Sequence, residues 1–87
     1  MKMTIPFSEV KPCEEFEYQR TLRNFRAFKI LPLKMFSESG PSKGQLVIVS
    51  AVITRDHSGG KALDAGTAII MPDYQYVIVD RPPPSGS

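Results

Sequence analysis

The sequence predicts a small all-β domain folded as a five-stranded barrel. Three observations predict it. Eight prolines and six glycines cut the 87 residues into short pieces, which favours strands and turns over long helices. Apolar residues recur with the two-residue period of strands. Turn signals return every eight to twelve residues, the spacing of a sandwich or barrel. Barrel closure would also remove the open edges that invite aggregation.

The elements follow in chain order. Residues 1–13 read as a lead-in, with Pro12 fixing a turn in Ser8-Glu9-Val10-Lys11-Pro12-Cys13. Glu15-Phe16-Glu17-Tyr18 alternates polar and apolar, so a strand places Phe16 and Tyr18 on one face. Residues 19–24 are polar and turn the chain. Phe25 to Leu31 is the second strand, with Phe25, Ala27 and Lys29 on one face and Phe28 and Ile30 on the other. A helix over 14–30 competes, because Glu, Gln, Arg, Leu and Ala are good helix formers. Its face of Phe16, Arg20, Arg23 and Ala27 makes a poor apolar stripe, so two strands are preferred.

Pro32 ends that strand, and residues 33–44 read as a loop, rich in Ser, Gly and Pro. Gln45 to Thr54 is the strongest strand signal, almost wholly apolar, and is expected at the centre of the sheet, covered on both faces. Residues 55–61 form a glycine turn. Ala62 to Met71 is the next strand, with a turn or bulge at Asp64-Ala65-Gly66. Pro72-Asp73 turns the chain into a last strand, Tyr74 to Val79. Residues 1–80 then make one domain, and 81–87 form a flexible Pro/Ser/Gly tail.

Composition limits the function classes. Hydrophobic residues at 41% and charged residues at 23% suit a soluble globular chain. The longest apolar runs have four residues, as in Leu46-Val47-Ile48-Val49, far short of the about 20 needed for a membrane helix. One cysteine, Cys13, forms no internal disulfide and no cysteine-rich zinc site. Together with the lack of a signal-like start, this points to the cytoplasm and to no membrane partner. Net charge is only +2, but residues 1–44 hold eight Lys/Arg against five Asp/Glu, and the rest three against four. A basic patch should come from the first half.

The stretch Val10-Lys11-Pro12-Cys13-Glu14-Glu15-Phe16-Glu17-Tyr18 resembles a pattern of small SH3-like barrel proteins in phage and bacterial genomes. There, Lys-Pro-Gly and two variable residues precede Phe-x-Tyr, and a second strand carries Tyr/Phe-x-Lys, here within Phe25 to Lys29. Leu63-Asp64-Ala65-Gly66 and Pro72-Asp73 to Val79 stand where that family has a closing hairpin and a Val-rich strand. The similarity spans about residues 7–80; Cys13 replaces the glycine and residues 33–44 look inserted. The resemblance implies an SH3-like barrel and brings no assigned activity.

Each chemical motif has a plain alternative. His57 beside Asp56, Asp64 and Ser58 would serve a small hydrolase or ligand site, yet adjacent residues rarely converge on one atom. Ser58-Gly59-Gly60-Lys61 lacks the spacing of a phosphate loop. Glu14, Glu15 and Glu17 are explained as exposed charges flanking inward Phe16. No cofactor is implied and no catalytic set stands out. The best candidate surface is Arg20, Arg23, Arg26, Lys29 and Lys34 with Phe25 among them. Such a stretch could grip an acidic protein surface, or grip single-stranded nucleic acid by phosphate contacts and base stacking. In the last strand, Tyr74, Tyr76 and Ile78 share one face and Gln75, Val77 and Val79 the other. If the valines face inward, Tyr74 and Tyr76 become an interface feature. The expected function is a non-catalytic protein-binding or adaptor module, with self-association among its partners.

Overall fold

The fold is built on one six-stranded antiparallel sheet with the spatial order β1-β6-β2-β3-β4-β5. It was obtained as a computed structural model that describes residues 1–38, 40–57 and 64–82. The strands are β1 Lys2–Pro6, β2 Glu15–Arg20, β3 Arg23–Phe36, β4 Leu46–Asp56, β5 Ala68–Ile69 and β6 Tyr76–Asp80. The one helical piece among the described residues is a 3-10 turn, Phe7–Glu9. The all-β expectation is met, and the two-strand reading of 14–30 displaces the helix.

The sheet curls around one core formed by Ile5, Phe7, Val10, Phe16, Phe25, Ala27, Ala51, Ile53, Met71, Val77 and Val79. Two rings set its centre: Phe7 meets Phe16 edge-on at 5.4 Å between centroids. Ala27 and Ala51, both fully buried, leave room for those rings. Tyr18 stacks on Phe25 at 5.0 Å at the border of the core.

Several expectations are corrected. The sheet does not close into a barrel: β1 and β5 stand at its two edges. Six strands form among the described residues because the supposed lead-in, Lys2–Pro6, pairs with β6 along its whole length. Residues 33–44 are not all loop, since β3 continues to Phe36. Pro32 is tolerated because β3 bulges there: Lys29 faces Ala51, but the next paired residue is Leu33, opposite Val49. A bulge leaves backbone groups out of the ladder, which suits a residue with no N–H. β4 is not covered on both faces; Val49, Ala51 and Ile53 are buried, while Leu46 and Ile48 are more than half exposed. The strand expected over 62–71 shrinks to Ala68–Ile69, with a turn at Ala65-Gly66. Its first residues, and the glycine turn 58–61, lie outside the described residues.

The tail does not begin at Arg81. Arg81 places its Nε and one terminal nitrogen 2.8 Å from the two oxygens of Glu14, and donates to the Glu9 carbonyl at 3.1 Å. This fork ties the end of β6 to the turn before β2. Residues 83–87 lie outside the described residues.

That turn explains Cys13. The Glu14 N–H donates to the Lys11 carbonyl at 3.0 Å, and Cys13 has φ of 68°. Proline followed by a left-handed residue is the signature of a type II turn, where glycine is the ordinary choice. Cys13 therefore holds a strained position at which the resembled pattern carries glycine.

Candidate functional site

The expected basic surface is not assembled. Strand period puts Arg20, Arg23, Phe25 and Lys29 on the sheet face that carries the core, and Arg26 on the opposite face. Phe25 is 5% exposed and belongs to the core, so its ring offers no face to a base. Lys29 turns inward at the core margin, donating to the Phe7 carbonyl at 3.1 Å with its ammonium 4.7 Å from the Phe7 ring centre. Arg23 lies 3.9 Å from the Asp56 carboxylate. Arg20 reaches Gln75 at 3.4 Å. Arg26 is held by Glu17 and by Glu15, the latter at 3.3 Å.

These pairings account for the acidic cluster too. The Arg26 hydrogen bond, aided by the charge of Lys2, holds the Glu17 carboxyl below its ordinary range. The Arg81 hydrogen bond holds Glu14 lower still, at about 2, against a smaller opposing effect of burial. Glu15 and Glu17 on β2 therefore serve as counter-ions to Arg26, and Glu14 in the preceding turn to Arg81. No group of three or more His, Cys, Asp or Glu side chains is placed to hold a metal among the described residues.

His57 is exposed at the end of β4, and its backbone N–H donates to the Asn24 carbonyl at 2.7 Å. The Asp56 side chain is buried and lies 3.9 Å from the Arg23 guanidinium. Ser58 lies outside the described residues. The shallow cleft near His57 is lined by Arg26 and Arg55 as well as Glu17.

Tyr74 and Tyr76 are 79% and 61% exposed, while Val77 and Val79 are buried. The valine face of β6 is the inner one, and both tyrosines meet solvent.

The most distinctive surface is one the sequence reading passed over. Beyond the bulge, β3 and β4 continue as a two-stranded arm, pairing Leu33 with Val49, Lys34 with Ile48, Met35 with Val47 and Phe36 with Leu46. Of these eight residues only Val49 is buried. Leu33, Phe36, Leu46 and Ile48 are 55%, 68%, 57% and 52% exposed, and Leu31 in the bulge is 73% exposed. Cross-strand partners share a face, so Lys34, Ile48, Phe36 and Leu46 form one side of the arm. Leu33, Met35, Val47 and Val49 form the other. Met35, Val47 and Val49 of that second side line a cleft of about 750 Å3 whose opposite wall is the segment 65–70, with Arg23 at its border. The tip is closed by the Ser37 N–H on Gln45 and the Gly44 N–H on Ser37, both at 2.9 Å. Gly44 has φ of 83°, a conformation glycine adopts without strain. Lys34, alone of the expected basic residues, stands on this arm.

The arm had a sequence signal: Leu33 and Met35 alternate with Lys34, and Gly40 and Gly44 precede the apolar run 46–49. Together these are the two sides of a hairpin. Pro32 hid the first side.

The chain matches no protein-family model, no curated protein and no solved structure. No helix among the described residues is long and apolar enough to cross a membrane.

Proposed function

We propose that this protein is a non-catalytic protein-binding module whose contact surface is the β3–β4 arm. One observation carries the reading: five large apolar residues on and beside a two-stranded ribbon are each more than half exposed. A two-stranded ribbon is marginal in water without further packing. Exposed apolar area concentrated on one projection marks an interaction site, whereas scattered exposed residues do not. The resemblance to small SH3-like proteins belongs to this proposal, with the left-handed Cys13 at their glycine position as its support. The exposed free thiol of Cys13 suits a reducing cytoplasm.

The nucleic-acid reading loses its support, because Arg23, Arg26 and Lys29 are engaged within the fold and Phe25 is buried. The hydrolase reading gains no support, because the cleft at His57 is lined by no serine or cysteine among the described residues.

A photo-crosslinking residue placed at Phe36 in the source cell tests the function. Protein adducts are expected at this position, and none at Thr4 on the far edge strand. Nuclease-sensitive adducts at Phe36, or no adducts there, would overturn the reading.

A further inference from the structure

Among the described residues, the outer edges of β1 and β5 and both edges of the two-stranded arm have no strand partner within the chain. The outer edge of β1 carries Lys2 and ends in Pro6, both devices that discourage pairing. β5 is only two residues long and pairs with Ala51 and Val52 alone. The outer edge of β3 in the arm, Leu33–Phe36, carries Lys34 and follows Pro32. The remaining stretch is β4 beyond its contact with β5, Leu46–Val49, which pairs on one side with β3. It has no charge, no proline and no glycine. An unguarded apolar edge invites uncontrolled pairing unless something regularly covers it.

We infer that a second copy of this chain covers it, with Leu46–Val49 of the two copies pairing antiparallel about a twofold axis at Val47. This rests on the arm being the docking surface. Two features select an identical copy. First, the geometry is self-complementary. The Ser37 N–H reaches the Gln45 carbonyl across the hairpin. By strand alternation, Leu46 and Ile48 then turn their backbone groups outward, toward the free edge. A twofold at Val47 sets Leu46 opposite Ile48 of the other copy, twice, with both backbone hydrogen bonds made in each pair.

Second, the faces match without repulsion. One side of the joined sheet would run Lys34, Ile48, then Leu46 and Phe36 of the second copy, so no two lysines become neighbours. β-branched, aliphatic and aromatic cross-strand pairs are the favourable kind. A contact this short suits a reversible dimer with a dissociation constant on the order of micromolar or weaker.

Sedimentation equilibrium of the purified full chain, at concentrations spanning that range, tests this. A monomer–dimer equilibrium is expected. Ile48→Lys and Leu46→Glu should each weaken it at least about tenfold, since either places a charge opposite an apolar neighbour. Both positions are more than half exposed, so far-ultraviolet circular dichroism should show each variant folded. An equimolar mixture of the two should recover dimer, because the introduced lysine of one copy then meets the introduced glutamate of the other across the axis. A wild-type monomer throughout would overturn the inference; so would dimers indifferent to both substitutions, or a mixture that stays monomeric. If the chain is monomeric yet Phe36 still crosslinks to another protein, self-pairing fails and the docking function stands. If both experiments are negative, both fail.

Discussion

The Arg81–Glu14 fork should contribute about 1–2 kcal/mol of stability, in a pH window that its chemistry fixes. Both contacts are 2.8 Å, and the side chains are 27% and 18% exposed. Fully exposed ion pairs contribute about 0.2–1 kcal/mol, and hydrogen bonds to charged groups about 1.5–3. A half-sheltered bidentate pair falls between them. The measurement is a double-mutant cycle of Arg81→Ala and Glu14→Gln. With no tryptophan in the chain, urea unfolding is best followed by circular dichroism. Each kcal/mol lost should lower Tm by about 4–8 °C in a domain of this size. Folding lowers the Glu14 carboxyl from its ordinary 4.5 to about 2, chiefly through the Arg81 hydrogen bond. A lowered carboxyl pKa stabilises the fold above the unfolded value, and that contribution disappears as pH falls through the folded one. The coupling should therefore be full at neutral pH, decline below about 4.5 and vanish near 2. A coupling under about 0.3 kcal/mol, or one unchanged between neutral pH and pH 2, would refute the reasoning.

Two smaller changes probe the turn and the core margin. Cys13→Gly should raise stability by about 0.5–1 kcal/mol, because relief of the left-handed strain exceeds the entropy glycine adds to the unfolded chain; a lower urea midpoint would contradict it. Lys29→Met keeps the packing but removes one hydrogen bond and one cation–ring contact, at a cost of about 1 kcal/mol. The Phe7 carbonyl still accepts from Val10, so no buried acceptor is orphaned and the loss stays modest. Unchanged stability in chemical unfolding would mean that Lys29 has no structural role.

The arm and the basic stretch show how local pattern and tertiary context divide the information. Glu15 to Tyr18 and Phe25 to Lys29 were legible because alternation is local, and one buried face enforces it. Lys2–Pro6 was not, because its partner β6 lies about seventy residues or more away and its alternation, Met3 and Ile5 beside Lys2 and Thr4, runs for only four residues before Pro6. Arg20, Arg23, Arg26 and Lys29 looked like one cationic stripe in one dimension. The period of two split it, acidic side chains on β4 and β2 pair with Arg23 and Arg26, and Lys29 turns in to the Phe7 carbonyl.

The sequence alone determined that this is a small all-β chain, with strands at 15–18 and from 25 onward and an apolar strand over 45–54. These features follow from proline, glycine and a two-residue period, which act over a few bonds. Only the tertiary structure decided that the sheet stays open, that the valines of β6 face inward and Tyr74 and Tyr76 outward, and that Arg81 clamps Glu14. It also decided that most of the apolar run 46–49 stands outside the core. Burial is a property of what packs against a strand, and that is set by contacts between distant segments.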